Sequence, residues 1–414
     1  MVTLKAFKAI RPRADLAEKI ATLPYDVLSS KEAREMAAEN EFSFLHIDKS
    51  EVDLADTIDV HSDEVYEKAA ENLQEFLQKG WLKKDETSQL YLYELTMNGR
   101  VQTGIVGSTS VTDYEKEKIK RHEFTLPEKE SDRIRHFDMT NANTSPIFLA
   151  YHAEEKIQSI VEQWKKENAP IYDFTSFYDV RHRIFIVRDI AVIGELITLF
   201  AKVPALYIAD GHHRSASAVK VGQKRRAEIR DDVSAEYNYF LSVIFPDNEL
   251  EILDYNRVVK TPLAKDFWKK VAVKFDIEKI DKSKPSKTHE IHVVTSDGWV
   301  KLRPKTEIIP SDEVARLDVS LLQDHILAPL LAIDDPKTNP NIKFVGGIRG
   351  LDELEKEVQN GASIAFALYP PTMTELLAVA DAGKIMPPKS TWFEPKLLSG
   401  LFLHDLGIGD NRKG

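Results

Sequence analysis

The chain of 414 residues contains no cysteine, which excludes disulfide bonds, thiolate zinc sites and cysteine nucleophiles. It also lacks an apolar stretch long enough to span a membrane, and its N-terminal residues hold no continuous apolar core of a signal peptide. Internal repeats and low-complexity tracts are missing as well. We therefore expect a cytoplasmic protein that does not bind a membrane.

An excess of positive charge is also absent. Lys and Arg number 56 against 67 Asp and Glu, so the formal net charge is −11. Such a surface repels nucleic acid, and we expect no nucleic-acid partner. A hydrophobic content of 43% with 30% charged residues is ordinary for a globular protein, and the length is sufficient for two domains. The sequence leaves the oligomeric state open.

The stretch 203–222 predicts a strand, a tight turn and a helix. Its apolar run stops at the hexapeptide ADGHHR, residues 209–214. Gly211 gives the turn conformational freedom, and the amides at the start of the helix point into the turn. Two imidazoles and a guanidinium at the same place favour a phosphate-binding site. The alternative is a plain turn in which Asp210 caps the helix and the basic residues are solvated.

Local patterns elsewhere predict further helices, strands and hairpins. A serine at 29 or 30 caps a helix to about residue 40, and residues 64–79 form an amphipathic helix. Residues 44–47 read as a short strand. Asn98-Gly99 and Asp297-Gly298 each lie between strand-like runs and predict hairpins.

The fold class that these patterns predict is α/β (α+β), with mixed sheets and flanking helices around the 203–222 element. The pattern of predicted elements changes near residue 260, beyond which strands and helices alternate. We expect a nucleotide-binding, catalytic domain over 1–260. A smaller C-terminal α/β domain with a closing tail would occupy 261–414.

Acidic and basic residues are dense in the segment 118–151. A charge run of this kind is usually a solvated helix face. Here, however, a polar turn at 141–146 and an apolar strand follow at once, which is typical of a cleft. The ionisable residues within this segment include Arg121, His122, Glu123, Lys129, Glu130, Asp132, Arg133, Arg135 and His136.

Four motifs occur in a fixed order along the chain: LPYDV at 23–27, HE…EKESDRIRH at 122–136, ADGHHR at 209–214 and PPKSTWFEPK at 387–396. Together they resemble a widespread, largely uncharacterised bacterial and archaeal family of unknown function, in which the first motif usually begins Pro-Pro-Tyr-Asp. The ADGHHR turn alone is also similar to the phosphate-binding turn of the ParB/sulfiredoxin-like superfamily. That superfamily includes the free serine kinases, which use ADP or ATP, and the CTP-binding partition proteins.

The second resemblance implies a ParB/sulfiredoxin-like core and a set of site residues. ATP or ADP would be held through its phosphates, together with Mg²⁺, which prefers carboxylate oxygen and water. The implied nucleotide ligands are Gly211, His212, His213 and Arg214, with Asp210 as a metal contact, and the implied catalytic residues are Glu123, Asp210, His212 and His213.

Substrate-binding residues are predicted outside the turn. Glu123 is the candidate general base for a substrate hydroxyl, provided that burial or a neighbouring acid counteracts the cations around it. Arginine side chains suit the binding of a carboxylate or phosphate. The predicted substrate-binding residues are Arg11, Tyr25, Arg133, Arg135 and Asn143.

The function expected from the resemblance is a nucleotide-dependent phosphotransferase acting on a small polar metabolite, with a serine-like hydroxy-amino acid as the first guess. One alternative is a phosphomonoester hydrolase such as a phosphoserine phosphatase, in which His212 or His213 accepts the phosphoryl group. Another is a non-catalytic nucleotide-binding switch. A zinc site is a fourth reading, although adjacent histidines lack the spacing that helical ligands need.

Overall fold

A computed structural model describes residues 1–228, 232 and 234–407. The chain forms two compact units. Unit 1 contains residues 1–120, 124–250 and the described residues from 395 onward, and unit 2 contains residues 121–123 and 251–394. The division predicted from the sequence, into 1–260 and 261–414, stays a prediction. The α/β fold class is confirmed.

Unit 1 is built around a nine-stranded sheet. The strands of this unit are β1 Leu4–Lys5, β2 Ile10–Pro12, β3 Leu82–Lys84, β4 Leu90–Met97, β5 Arg100–Ser110, β6 Ile119–Lys120, β7 Ala142–Asn143, β8 Ile147–Tyr151, β9 Tyr172–Ser176, β10 Val180–Val187, β11 Leu206–Asp210 and β12 Tyr239–Pro246. In the sheet they follow the order β6-β11-β8-β12-β5-β4-β10-β9, with β1 paired to β5, while β2 and β3 form a separate pair and β7 lies outside the sheet. The sheet is mixed, because β11 runs parallel to β6 but antiparallel to β8.

The helices of unit 1 bury their apolar faces against this sheet and against one another. They are α1 Ala17–Ile20, α2 Ser30–Ala37, α3 Leu45–Asp48, α4 Asp63–Gln78, α5 Val111–Glu115, α6 Pro127–Thr140, α7 Glu155–Glu167, α8 Ile190–Phe200 and α9 His212–Glu228. Short 3-10 helices occupy Ala14–Leu16, Tyr25–Val27, Ser50–Asp53, Phe177–Asp179, Glu236–Asn238 and Asp247–Glu249.

Several local predictions for unit 1 are confirmed and one is wrong. Ser29 and Glu32 form a capping box at the start of α2, and α4 matches the predicted amphipathic helix. The Asn98-Gly99 pair, with φ of 52° and 79°, makes the turn between β4 and β5. Of residues 44–47, predicted as a strand, Phe44 is instead the N-cap of α3 and the other three lie within this helix. A four-residue segment is too short to show a helical or a strand period, and one helical turn buries Phe44, Leu45 and Ile47.

Helices α6 and α9 pack side by side and bring the mixed-charge segment onto the helix that follows the ADGHHR turn. Pro127 occupies the first turn of α6, where its missing N–H costs nothing. The hydroxyl of Ser217 donates to the carbonyl oxygen of Glu130 at 3.0 Å, and Arg225 Nη2 lies 3.1 Å from Asp138 Oδ1. Part of the charged segment therefore faces a neighbouring helix and not solvent.

Unit 2 contains an antiparallel six-stranded sheet and a separate pair of strands. The strands are β13 Ile252–Leu253, β14 Tyr255–Val259, β15 Phe275–Lys279, β16 Ile291–Thr295, β17 Gly298–Pro304, β18 Ile342–Gly346, β19 Ile364–Leu368 and β20 Trp392–Phe393. The sheet has the order β15-β17-β16-β19-β14-β18, and β13 pairs with β20. The predicted hairpin at Asp297-Gly298 is confirmed by β16 and β17. The α-helices are α10 Phe267–Lys274, α11 Asp318–Leu322, α12 Ala328–Leu331, α13 Gly350–Gln359 and α14 Met373–Asp381, with 3-10 helices at Thr306–Ile308 and Gly347–Arg349 and a π-helix at Gln323–Leu327.

The last strand of the chain, β21 (His404–Asp405), belongs to unit 1 and pairs with β7. In the part of the chain that the structure describes, no helix is long and apolar enough to cross a membrane.

Candidate functional site

The ADGHHR segment forms the strand, turn and helix that its sequence predicts. Strand β11 ends at Asp210 and helix α9 begins at His212. Gly211 between them has φ of +92°, a value that L-residues with a side chain rarely adopt. A Cβ atom at this position would also lie 3.2 Å from the guanidinium of Arg214. Backbone conformation and packing therefore both require glycine here.

Arg214 points into the protein and not into solvent. The residue is 2% exposed, and its Nη2 donates to Asp210 Oδ2 at 3.2 Å while Nη1 donates to the carbonyl oxygen of Pro146. Its buried Nε has no hydrogen-bond partner among the residues that the structure describes. Burial opposes the charge, but Asp210, followed by Asp26, Tyr25 and Asp48, raises the pKa of Arg214. The turn thus contains a fixed, desolvated cation with one donor left over.

Asp210 lies between two cations. Its Oδ2 is 3.2 Å from Arg214 Nη2 and 3.8 Å from Lys396 Nζ, and its side chain is 31% exposed. Burial opposes ionisation, but Lys396 and then Arg214 lower the pKa of Asp210 to about 2. The predicted Mg²⁺ contact does not fit this surrounding, because two flanking cations repel a divalent ion.

The two histidines of the turn are held by backbone and neighbouring elements. His212 is buried, and its carbonyl oxygen accepts a hydrogen bond from the Ser215 hydroxyl at 2.9 Å. The imidazole of His213 accepts at Nε2 from the backbone N–H of Leu126, at 3.0 Å. Since Leu126 is the N-cap of α6, His213 ties the start of that helix to the turn.

A cavity of about 340 Å³ lies within unit 1 beside α6. That volume is at the lower end of the range for small-molecule sites. Charged and polar side chains from α2, α3, α4, α6 and two 3-10 helices surround it. Its lining consists of Tyr25, Asp26, Leu28, Ser30, Asp48, Lys49, Ser50, Glu51, Val60, His61, Val65, Tyr66, Glu128, Lys129, Asp132, Arg133 and His136.

Arg133 is the central cation of this cavity and is 5% exposed. Its Nε donates to Asp132 Oδ2 at 2.7 Å, and its Cζ lies 3.9 Å from the centroid of the Tyr25 ring. Nη1 is 3.5 Å from Asp48 Oδ1, yet this nitrogen makes no hydrogen bond within the described part of the chain. Burial is outweighed by Asp132, Tyr25 and Asp48, so the pKa of Arg133 is raised.

Asp48 is a buried carboxylate that the sequence analysis did not select. It accepts hydrogen bonds from three hydroxyl groups, at 3.2 Å from Thr144 and at 3.0 and 2.8 Å from Ser145 and Ser399. These bonds compensate the loss of water around the carboxylate and fix its position beside Arg133. In the sequence, Asp48 is marked only by its position directly after residues 44–47, which are predicted as a strand.

Asp132 is the second carboxylate that pairs with Arg133. Its Oδ1 accepts from the Tyr66 hydroxyl at 2.8 Å and lies 3.4 Å from His61 Nδ1. Burial opposes ionisation here too, but the charge and the hydrogen bond of Arg133 lower the pKa of Asp132 to about 2. The carboxylate is therefore ionised at neutral pH.

The structure brings some of the predicted substrate-binding residues to this cavity and leaves others away from it. Tyr25 and Arg133 line it. Arg135 does not: its guanidinium reaches the His61 carbonyl oxygen and Asp63 and stacks 4.2 Å above the Tyr66 ring.

Arg11 and Asn143 are not brought to the cavity. Arg11 pairs with Asp85 at 2.8 Å and donates to the Tyr172 hydroxyl, in a separate depression of unit 1. Asn143 is buried in β7, where its Oδ1 accepts from the backbone N–H of Leu241. Both residues hold neighbouring strands together. Glu123, the predicted base, belongs to unit 2, and its role stays a prediction.

Across residues 1–228, 232 and 234–407, no group of three or more histidine, aspartate or glutamate side chains has the arrangement of a metal site.

The sequence profile of the family DUF1015, described as a protein of unknown function, matches residues 4–320. The chain belongs to this family. Among curated proteins, none matches the sequence. The membership agrees with the family resemblance carried by the four motifs.

Solved structures similar to this chain have low identity. C-terminally truncated SbnI from Staphylococcus aureus is 11% identical, with a TM-score of 0.39 over 71% of this chain and 85% of that one. A conserved hypothetical protein from Pyrococcus furiosus is 14% identical, with a TM-score of 0.34 over 72% and 94%. A free serine kinase in complex with AMP is 14% identical, with a TM-score of 0.36 over 70% and 86%. These TM-scores are too low to support an argument about this chain.

Proposed function

We propose that unit 1 is a nucleotide-dependent phosphotransferase for a small polar metabolite, with a serine-like hydroxy-amino acid as the first candidate substrate. The observation that carries the proposal is the position of Arg214. The Nε of this buried cation is a donor without a hydrogen-bond partner among the described residues, and Asp26, Tyr25 and Asp48, which line the cavity, help to raise the pKa of Arg214. We infer from these two features that the turn and the cavity act together as one polar site.

The arrangement suits phosphoryl transfer, which depends on positioning and charge neutralisation. Arg214, Lys396 and the amides at the start of α9 would hold the phosphates of ATP or ADP. In the reaction, the bond from phosphorus to the leaving nucleotide oxygen breaks, and a bond to the acceptor hydroxyl oxygen forms. The hydroxyl proton passes to a carboxylate. Glu123 is the predicted base, and Asp26, exposed on the cavity wall, is a second one.

The test incubates the full chain with ATP or ADP, a magnesium salt and a panel of hydroxyl-bearing metabolites that includes serine, and measures the phosphorylated product. We expect one substrate class to be phosphorylated. Replacing Lys396 by Met should lower the rate about tenfold or more, because a cation beside the phosphates is lost. The matched control is Lys224→Met, which removes an exposed cation of α9 that pairs with Asp138.

Asp26→Asn and Glu123→Gln separate the two candidate bases. The variant that lacks the true base should lose a factor of about 10²–10⁴ in kcat, while the other keeps most of its activity. Absence of any product, together with no thermal shift on adding nucleotide, would contradict the proposal.

The two alternative functions predict other outcomes of the same assay. Hydrolysis of a phosphomonoester without nucleotide would favour the phosphatase. His213 is poorly suited to accept a phosphoryl group at Nε2, because that nitrogen already accepts from Leu126. Tight nucleotide binding with no turnover would favour the switch.

A further inference from the structure

His136 lies one helical turn after Arg133 on the face of α6 that lines the cavity. It is 2% exposed, and its Nε2 is 2.9 Å from the carbonyl oxygen of Ile47. A carbonyl oxygen can only accept, so Nε2 carries the proton of the ring. Burial and then the charge of Arg133 lower the pKa of His136 to about 4, which keeps the ring neutral at pH 7.

The other ring nitrogen is consequently an acceptor. Nδ1 of His136 is buried and makes no hydrogen bond to any residue that the structure describes. Buried polar atoms in folded proteins are nearly always paired, either within the protein or with water or a ligand. A pairing group for Nδ1 must donate an N–H or O–H.

Arg133 offers the complementary group on the same wall. Its Nη1 is a donor without a hydrogen-bond acceptor among the described residues, 3.5 Å from Asp48 Oδ1. Asp132 and the Tyr25 ring hold the rest of the guanidinium in place. Arg133 and His136, three positions apart among the residues that line a cavity of about 340 Å³, thus hold a buried donor and a buried acceptor that no described residue satisfies.

We propose that His136 is a specificity-determining residue which, with Arg133, selects ligands that carry an anionic oxygen next to an N–H or O–H donor. The anionic oxygen binds Arg133 Nη1, and the adjacent donor binds His136 Nδ1. A ligand of the same charge whose donor is methylated cannot form the second bond and leaves Nδ1 unpaired in the interior. This inference rests on the proposed function in one respect, that the cavity is the acceptor-substrate site.

The experiment measures binding to the full chain by calorimetry, without nucleotide, for two matched ligand pairs. Glycine is compared with its N-trimethyl derivative, and lactate with 2-methoxypropionate. Each pair keeps the carboxylate and the net charge and replaces the donor hydrogens by methyl groups. We expect the donor-bearing member to bind about tenfold or more tightly, since a buried polar group left unpaired costs at least as much as one lost hydrogen bond.

Two variants assign that preference to His136. In His136→Phe the preference should fall to within about twofold, because the acceptor is gone. In His136→Asn the amide oxygen can occupy the place of Nδ1, and the preference should return. A merely structural role would weaken both members of a pair equally and would not be rescued selectively by Asn.

If His136→Phe fails to fold, the inference can still be tested on the wild-type protein by NMR. The ¹⁵N resonance of His136 Nδ1 should shift on adding glycine and stay unchanged on adding the trimethyl derivative. Equal binding of both members, binding of neither, or an unmoved Nδ1 resonance overturns the inference. These readouts are independent of catalysis, so phosphoryl transfer without discrimination overturns only this inference. Discrimination without phosphoryl transfer overturns only the proposed function.

Discussion

Arg214 in the turn and Arg133 in the cavity are both buried cations of unit 1, at 2% and 5% exposure, but they are held in different ways. Arg214 donates to a backbone carbonyl oxygen and to one partly exposed carboxylate. Arg133 lies between two carboxylates and on an aromatic ring. The turn is thus fixed mainly by backbone conformation, whereas the cavity is fixed mainly by compensation of buried charge.

This difference determines how each region should respond to change. Removing a charge from the cavity leaves its partners buried and uncompensated, which is among the most destabilising changes known. Altering the turn strains one backbone position and displaces one guanidinium. We therefore expect the largest losses of stability in the cavity, intermediate losses at the turn, and pH-dependent losses from buried histidines.

The largest effect is expected for Arg133→Ala. Asp48 and Asp132 would lose the cation that compensates them, and the free energy of unfolding should fall by about 3–5 kcal/mol. Arg135→Ala is the matched control on the same helix. Its partner Asp63 is 82% exposed, so that loss should be below about 1 kcal/mol. Urea unfolding of both variants measures the difference, and equal losses would contradict the account of the cavity.

Gly211→Ala should destabilise the protein by about 1–3 kcal/mol, because alanine is strained at a φ of +92° and its Cβ would press on Arg214. Gly194→Ala is the control in helix α8, where an added Cβ meets nothing within 4 Å. There alanine should stabilise by up to about 1 kcal/mol. The same unfolding measurement applies, and a neutral Gly211→Ala would mean that the turn is not conformationally fixed.

The third effect is a loss of stability in mild acid. Burial lowers the pKa of His182 to about 3, and burial with Arg133 lowers that of His136 to about 4, against an ordinary value of 6.5. Between pH 6.5 and 4 the unfolded chain binds protons that the native protein excludes, so stability must fall as pH falls through this window. The charged groups that interact with His136 are Arg133, Asp48 and Asp132.

From pH 7 to pH 5 each of these histidines should account for about 1–2 kcal/mol of that loss. Asp132, with its pKa lowered to about 2, contributes stability that is lost only below about pH 4. The midpoint of urea unfolding across this pH range checks the sign. In His136→Asn the slope between pH 6.5 and 5 should be shallower, and an unchanged slope would exclude His136 as its source.

The turn and the cavity also differ in how much of each could be predicted from the sequence. The turn is encoded within six consecutive residues, so its strand, its glycine and the start of its helix could be predicted from local pattern. The capping box at Ser29 and the hairpin at Asn98-Gly99 were predictable for the same reason. Each depends on conformational preferences of neighbouring residues.

The cavity could not be predicted in this way, because its residues come from separate segments and meet only through tertiary packing. Arg133 and Tyr25 lie in motifs and were predicted as site residues. Asp48 was not predicted, because it follows a four-residue segment whose pattern is compatible with either a strand or a helix. Arg135 was predicted with Arg133 to bind a carboxylate or phosphate, and Arg11 was predicted with Tyr25 to line the pocket. Their partners Asp85 and Asp63 lie more than seventy positions away in sequence, where no local pattern points to them.

The most direct test of the account is hydrogen–deuterium exchange of the full chain with and without ADP. If the turn and the cavity take one ligand, ADP should slow exchange in three separate segments, namely residues 209–216, 25–30 and 128–136. Protection confined to 209–216, or absent from all three, would contradict the claim that these segments form one nucleotide-dependent site.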